Sequence, residues 1–594
     1  MGAHTGFTDI QSYLSALRSG GELLEVEASV SSDLEIAEIH RRVIEAGGPA
    51  LLFKNVSGSP FPVATNLFGT QSRVDLAFGR DACSLVAELA KFPEELMPPT
   101  PGNLWAKRST LLRLARVGTK TSASGSCMEV IESPPKLTQL PALKTWVEDG
   151  GPFITLPLVY TEHPETGIPN LGMYRIQIFS DDTTGLHMQI GKGGGFHLAA
   201  AAEKNQPLPV AISVGGPPAA IVSAIAPLPE NVPELLLCSL LLGRKVRMAS
   251  HEKSGVPILA DAEFVLAGTV TPGEMHPEGP FGDHYGYYSL KHDYPLFRCN
   301  ALFRKRNPIF PATVVGKPRQ EDFFIGDYLQ ELLSPLFPLV MPAVRDLWSY
   351  GETGFHSLAA AVVKDRYKRE AMVSAFRILG EGQLALTKFL LVLDKQMDLR
   401  DFPAVLEHVL ARADFRTDLY IFSNLSMDTL DYTGPTVNEG SKGVLLGMGD
   451  PIRELPRAFS HDLPRFVNSA SVFCGGCLAV SGPGFKDEPD LPERIAKSAV
   501  FREWPLIVLC DSAQEATESA SKFLWTTFTR FEPAADISAR ANILHRFHPS
   551  LEAPIVIDAR MKPGYPDELF CDEETSKLVD SRWKSYFPDK DPLK

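Results

Sequence analysis

Cysteine is scarce in this chain, eight in 594 residues. That scarcity excludes a disulfide-stapled scaffold and points to a reducing compartment. Cys474 and Cys477 form the single CxxC spacing; zinc would need two further ligands, and no second pair supplies them. Long apolar runs are missing too. Nothing approaches the ~18 uninterrupted apolar residues of a bilayer span. The opening MGAHTGFTDIQSYL lacks the basic start and apolar core of a secretory signal. Gly6 stands where a myristoylation site wants Ser or Thr. Positive charge is in the minority, 58 Lys and Arg against 72 Asp and Glu, for a net −14. A nucleic-acid binder shows a clustered basic patch, and none is written here. The expectation is a cytoplasmic protein with no membrane span and no nucleic acid, long enough for roughly three or four domains.

The texture changes along the chain. Residues 8–47 read as helical, with Ile10, Tyr13, Leu14 and Leu17 on one face and Ser32 as a cap for a second helix. A short strand follows at 50–54, then a turn and second strand over 55–64, and this α/β region ends near the Pro-rich 98–101. From 128 to 320, short β-rich runs recur between Gly and Pro: 153–160, 173–179, 208–214, 246–248, 262–268, 297–303 and 309–316. That pattern suggests a barrel-like β domain, interrupted by helices near 196–205 and 232–242. Beyond 321, helix and strand alternate, with a helix at 327–333, a strand at 358–363, a helix near 367–380 and a strand at 389–394. Such alternation predicts an α/β domain. The stretch from Lys388 to Ile421 also matches that from Pro505 to Ile537 in pattern. Each has an apolar strand ending in Asp (Asp394, Asp511), then a helix, then an exit toward Asp418 or Asp536. The alternatives are a duplicated unit and chance similarity of two ordinary strand–helix units.

The richest segment is HPEGPFGDHYGYY, from His276 to Tyr288. Glu278 and Asp283 lie five residues apart among Pro277, Gly279, Pro280, Gly282 and Gly286, which forbid a regular helix. His276 and His284 flank them. Acids and imidazoles on a loop between apolar segments suit proton transfer; an acidic surface turn is the plainer alternative. Upstream, NLGMYRIQIF places Asn170 and Arg175 at the start of a strand. TGLHMQIGKGGGFH, from Thr184 to His197, sets Lys192 beside Gly193, Gly194 and Gly195 ahead of a helix. Backbone N–H groups, a cation and a helix N-terminus at one place suit a phosphate. Asn170 and Glu234, the latter ending PLPENVPE, are hard oxygen donors suited to Mg or Mn. His163, His251, His356, His408, Trp504 and Trp525 read as core or surface residues.

Taken together, these segments resemble the UbiD family of decarboxylases. The resemblance is carried by NLGMYRIQ, TGLHMQIGKGGG, PLPENVPE, HPEGPFGDHYGYY, KRNPIFPATVVGKP from Lys305, KFLLVLD from Lys388 and GSKG at 440–443. It resumes at PIVIDARMKPGYPDE from Pro554. It implies an α+β protein: an N-terminal α/β domain (1–115), a central FMN-binding split β-barrel domain (116–320) and a C-terminal α/β dimerisation domain (321–443). An inserted second α/β unit (444–553) and a terminal segment with a helix (554–594) would follow. The implied cofactor is prenylated FMN, supplied by a flavin prenyltransferase of the UbiX type, with Mn2+ (or Mg2+) and K+ at its phosphate. The implied reaction is reversible, non-oxidative decarboxylation, run by a homodimer or higher homo-oligomer. Arg175, Glu278 and Asp283 match the catalytic Arg–acid–acid set. Asn170 and Glu234 match metal ligands, and Met173, Tyr174, Arg175, His187, Met188, Gln189, Lys192, Gly193 and Lys442 match cofactor-binding positions. Gly191 and Lys192 stand where some relatives carry a metal-binding His, which leaves His187, His197 or water as the third ligand.

The chemistry fits those roles. Loss of CO2 leaves a carbanion, so the site needs an electron sink, which the flavin supplies, and a proton donor. Arg175 would orient a carboxylate by forked hydrogen bonds. Asp283 would donate the proton, which asks for a raised pKa, and Glu278 would hold Arg175. Long members of the family resemble those beside the futalosine route to menaquinone, where a dihydroxynaphthoate loses CO2. A hydroxybenzoate, a heteroaromatic acid or an acrylic acid are the alternative substrates. An FMN-binding split-barrel oxidoreductase is the alternative of another class; it would have no use for the acid–Arg–acid set.

Overall fold

The computed structural model describes residues 6–96, 99–188, 193–228, 232–317 and 319–594. The chain forms two compact units, one of Met1–Leu332 with Asp567–Lys594 and one of Leu333–Pro566. Among the described residues, no helix is long and apolar enough to cross a membrane.

In the first unit, Leu23–Val30 runs parallel to Ala50–Val56, Val63–Thr65 pairs antiparallel to the latter, and Phe310–Pro311 adds to Val63–Thr65. Helix Ile10–Ser19 buries Ile10, Tyr13, Leu14 and Leu17, the face that its spacing predicts. Asp9 caps it by accepting the Ser12 amide, one of the donors a helix start leaves unpaired. The helical reading of 8–47 missed a strand, Leu23–Val30. Its sequence LLEVEASV buries Leu23, Val26 and Val30 and turns both glutamates out, an irregular alternation that two flanking helices obscured. Ser32 does not cap the second helix, Glu35–Glu45; Leu34 holds that position with φ 65° and no side-chain cap.

The unit's main sheet has seven strands. A long antiparallel ribbon, Phe264–Glu278 against His292–Arg304, lies at its centre. Leu208–Val214, Pro157–Glu162 and Pro169–Gly172 follow on one side, and Thr183–Gly185 and Val130–Glu132 both pair with His292–Arg304 on the other. Ile212, Leu266, Val270 and Phe297 from these strands share one core. The barrel suggested by the sequence is not closed, because the two outer strands do not pair with each other. Helices Gly193–Glu203 and Glu234–Leu242 both pack against Pro169–Gly172, and the first also against Pro157–Glu162, Leu208–Val214 and Phe264–Glu278. Those two helices lie close to the expected ranges. The expected strand at 173–179 shrinks to Ile176–Gln177, and that at 309–316 to Phe310–Pro311.

The second unit contains two five-stranded sheets of the same topology. In the first, Val344–Ser349, Leu358–Val363, Phe389–Leu393, Glu439–Gly447 and Leu419–Ser426 follow in that order. In the second, the order is Ser469–Cys474, Cys477–Ser481, Leu506–Cys510, His548–Asp558 and Ile537–His545. Both run antiparallel, parallel, parallel, antiparallel. The matched stretches that begin at Lys388 and Pro505 occupy equivalent places, which favours duplication over chance. Each sheet has a core of its own, one holding Leu390 and Val444, the other Ile507 and Val556. A third core joins them, with Phe389, Phe402, Phe523, Phe528 and Phe531 in contact.

Candidate active site

Glu278 is the last residue of the long strand Phe264–Glu278, paired with His292. Asp283 follows the two-residue strand Phe281–Gly282. The segment is therefore a strand end and a tight loop rather than one continuous turn. Arg175 lies just before strand Ile176–Gln177 and reaches both acids. Its Nε donates to Glu278 Oε1 at 2.8 Å, its Nη1 to Asp283 Oδ2, and its Nη2 to Ser289 Oγ at 3.0 Å. The guanidinium also lies over the Phe281 ring, 4.8 Å from its centroid. The Glu278 side chain is fully buried and that of Asp283 is 10% exposed. The three residues that the motif singled out thus meet in one buried, doubly paired cluster.

Imidazoles complete it. His187 Nδ1 stands 3.3 Å from Glu278 Oε2, with its ring 4.0 Å from that of Tyr294. His284 Nδ1 stands 2.5 Å from Asp283 Oδ1. His276 is turned out: it is exposed and its ring packs on Phe179.

The expected raised pKa of Asp283 is not what this arrangement produces. Burial alone would push the carboxyl up, but the hydrogen bond and charge of His284 and the charge of Arg175 outweigh it and hold it well below the usual range. Glu278 follows the same pattern: burial raises it, and Arg175 with His187 brings it down. Burial and the charge of Arg175 both push His187 down. The cluster thus rests with two carboxylates around a guanidinium.

The loop's position depends on a third acid that no spacing in the sequence revealed. Asp149, 4% exposed, accepts Thr145 N at 2.8 Å, Thr145 Oγ1 at 2.7 Å and Trp146 N at 2.9 Å on Oδ2, and Gly282 N at 2.8 Å on Oδ1. Gln177 Oε1 accepts Gly279 N at 2.9 Å, and Gly150 N donates to Pro280 O at 2.8 Å. Gly282 must be glycine for a steric reason, since a Cβ there would lie 2.0 Å from Trp146 Cδ1.

A second locus adjoins the helix Gly193–Glu203. Leu171 N donates to Glu234 Oε2 at 2.9 Å, which brings Glu234 beside Asn170. Asn170 is 9% exposed and its Nδ2 has no partner. Burial pushes Glu234 up. Gly194 N donates to Tyr174 Oη at 3.1 Å, and a Cβ on Gly193 would stand 1.9 Å from Asn170 Oδ1. The orphaned Nδ2 donor and the bare glycine backbone fit the oxygens of a phosphate at this helix start, and the Glu234 carboxylate with Asn170 Oδ1 are the oxygens that would suit a cation. Neither candidate third ligand joins it: His187 serves Glu278, and His197 Nδ1 pairs with Thr161 Oγ1 at 2.8 Å. No cluster of three His, Cys, Asp or Glu occurs among the described residues. Met188 is buried in the main core with Tyr174, and Met173 is half-buried. Gln189 and Lys192 lie outside the described residues.

Lys442 belongs to the other compact unit. It is buried, donates to Ala385 O at 2.7 Å and Thr387 O at 3.0 Å, and burial pulls its amine down to about 8. Cys474 and Cys477 face each other across a hairpin and are free thiols.

Three models of 3-octaprenyl-4-hydroxybenzoate carboxy-lyase domains match the chain: the N-terminal domain at 14–92, the Rift-related domain at 119–318 and the C-terminal domain at 323–447. The chain belongs to this carboxy-lyase family, UbiD. A Chlamydia trachomatis protein of no stated function is 51% identical over 581 residues, 98% of this chain and all of its own. A Chlamydia pneumoniae protein, named as one of the subunits of a 4-hydroxybenzoate decarboxylase, is 50% identical over 588 residues, 98% of this chain and 99% of its own. Among solved structures, the closed form of Sedimentibacter hydroxybenzoicus vanillic acid decarboxylase shares the fold at TM-score 0.67 and 23% identity, over 77% of this chain and 95% of its own. The UbiD-class enzyme HmfF from Pelotomaculum thermopropionicum, in complex with FMN, does so at TM-score 0.61 and 21% identity, over 77% and 97%. The repeat that begins at Ser469 lies beyond all three family models.

Proposed function

We propose that this UbiD member is a reversible, non-oxidative decarboxylase of a hydroxylated aromatic acid and works with prenylated FMN. The observation that carries the reading is the Arg175 guanidinium bound to two buried carboxylates, Glu278 and Asp283. A buried arginine between two acids is costly unless it serves a function or a register. It gives a carboxylate substrate a forked cation and leaves an acid beside the reacting carbon. When bound, prenylated FMN supplies the electron sink that no side chain can provide.

The proton steps belong to this chain's own residues. Asp283 rests as an anion, so it must first be neutralised to donate. His284, 2.5 Å away, is the adjacent proton source. Arg175 would swing its hydrogen bonds toward the substrate carboxylate, and Glu278, paired with His187, would retain the guanidinium. Asn170 and Glu234 would hold Mn2+ or Mg2+ at the phosphate, with K+ as a second cation. A flavin prenyltransferase would supply the cofactor, and a homo-oligomer in the cytoplasm is the expected form. A dihydroxynaphthoate is the substrate to try first, followed by hydroxybenzoates such as vanillate. The oxidoreductase alternative has no use for the two acids on Arg175 and is not favoured.

The test is to co-express the protein with a flavin prenyltransferase and incubate it with a panel of aryl acids. Release of CO2, or hydrogen–deuterium exchange at the ring carbon in the reverse direction, is expected for at least one acid. An ordinary flavin spectrum, NAD(P)H oxidation and no CO2 from any acid would refute the reading.

A further inference from the structure

One acid near the cluster takes no part in that chemistry. Asp322 lies in the first turn of helix Glu321–Leu333. Both of its carboxylate oxygens are buried, and neither has a hydrogen-bond partner. An unpaired buried carboxylate is expensive, and a fold keeps one where it interacts with another charge. The charged groups acting on it are His284 and Asp283, from the loop that carries the Arg175 pair. Its own helix contributes the dipoles of the Asp322 and Phe323 amides. Its neighbour Glu321 is otherwise engaged, accepting Thr313 Oγ1 at 2.6 Å and Phe68 N at 2.7 Å. Asp283 touches His284 directly at 2.5 Å, and the charges of His284 and Asp322 act on each other through space.

We propose that Asp322 is a positioning residue for proton delivery, acting through His284: it biases the imidazole toward its charged form, from which Asp283 can be reprotonated. The balance is simple. When Asp283 gives its proton to carbon, the Nδ1 proton of His284 moves to Asp283, and the imidazole recovers a proton from solvent. An ionised Asp322 favours that recovery; a protonated one does not. Burial pushes Asp322 up to about 7, so the bias turns on near neutral pH. The role in delivery rests on the decarboxylase reading, whereas the coupling of Asp322 to His284 does not.

The test therefore uses a readout besides activity. In full-length protein labelled at histidine 13Cε1, with the His284 signal assigned by its loss in His284→Gln, Asp322→Asn should move the His284 titration to lower pH by about one unit. A linkage measurement accompanies it. A carboxyl raised in the folded state costs stability as pH rises from its unfolded value to its folded one. The melting temperature of Asp322→Asn minus that of wild type should thus grow between about pH 4 and 7 and level off above. If the His284 signal titrates as in wild type, or the melting difference is flat from pH 4 to 8, the proposal is wrong. Both shifts without CO2 release from any aryl acid would sustain the coupling and defeat the decarboxylase reading. Should Asp322→Asn fold poorly, Asp322→Ser serves for the same two measurements.

Discussion

Asp149→Asn is the sharpest probe of how the reactive loop is held. The wild-type carboxylate accepts four hydrogen bonds, three on Oδ2 from Thr145 and Trp146 and one on Oδ1 from Gly282 N. An amide has one acceptor oxygen. The better orientation keeps that oxygen where Oδ2 stood and turns Nδ2 against the Gly282 amide, leaving two donors face to face. Hydrogen bonds to a charged group contribute about 1.5–3 kcal/mol and neutral ones about 1, so the three retained bonds lose roughly 0.5–1.5 kcal/mol each. The stranded Gly282 N–H costs about 1–3 kcal/mol more. Relief from burying a charge returns part of this, since burial already pushes the Asp149 carboxyl up. The net expectation is a loss of about 2–4 kcal/mol, read by chemical denaturation. Arg41, whose Nη1 donates to Thr145 O at 2.7 Å and whose guanidinium lies 4.2 Å from the Trp146 ring centroid, should keep the turn folded. Gly282 immediately precedes Asp283, so its release should displace the acid. A misplacement of about 1 Å costs on the order of 100-fold in turnover, and the loss should fall on kcat more than on KM. If Asp149→Asn stays within about 0.5 kcal/mol of wild type and turns over normally, the clamp does not position the loop.

The same geometry sets the outcome of four other substitutions. Asp283→Asn should lower CO2 release by about 100-fold or more while cofactor absorbance is retained. Arg175→Lys should be nearly as damaging, because one ammonium cannot reach Glu278, Asp283 and Ser289 in the planes the fork uses; activity and the near-UV circular dichroism check it together. Gly282→Ala should displace Trp146, 2.0 Å from the new Cβ, and quench or shift its fluorescence along with activity. Lys442, lowered to about 8 when folded, is uncharged in the fold but charged in the unfolded chain between there and its ordinary pKa. Stability should therefore rise with pH from about 8 to 10, and thermal melts of Lys442→Met should lack that rise.

The sequence disclosed most about groups whose chemistry lies in a short motif. Arg175, Glu278 and Asp283 were legible because a Pro- and Gly-broken segment cannot be a helix, and two acids within it need a cation. The face of Ile10–Ser19 and the paired strand–helix stretches were legible through periodicity. What stayed hidden is nonlocal. Asp149 lies 133 residues from Gly282, and nothing about either residue announces the other. Asp322 lies ahead of the helix expected at 327–333 and reads as an ordinary acid until its oxygens are seen to be buried. The direction of the Asp283 shift was misjudged for the same reason. Burial was foreseeable, but the orientation of the adjacent His284 ring, which reverses its effect, is decided by packing. Two histidines beside one acid segment looked equivalent, and the fold turned one toward the acids and the other out to solvent.

The duplicated unit bears on where chemistry resides in the second half of the chain. Register fixes the equivalences: Phe389 pairs with Gly443 in one sheet as Leu506 pairs with Ile555 in the other. Lys388 and Lys442, each one residue before a strand pair, therefore correspond to Pro505 and Pro554. In the first repeat those positions form a buried polar group, with Lys388 Nζ 2.8 Å from Asp431 Oδ2 and Ser357 Oγ 3.4 Å from the same oxygen. Ser357 in turn corresponds to Gly476, through the pairing of Leu358 with Phe389 and of Cys477 with Leu506. Two lysines and a serine have thus been replaced by two prolines and a glycine. Buried ammonium groups are costly; proline costs little just before a strand, as at Pro505, or at a register shift, as at Pro554 within His548–Asp558. The second repeat therefore retains the sheet, its helices and the shared aromatic core, but lacks the two lysines at the strand starts, while Asp558 at the end of its own strand pairs with the buried Arg560 at 2.7 Å. It packs against the first repeat through Phe523, Phe528 and Phe531. Replacing Phe528 with alanine should accordingly destabilise both repeats together, by about 3–5 kcal/mol for a buried aromatic, and give one unfolding transition for the pair. Two separate transitions would show that the shared core does not couple them.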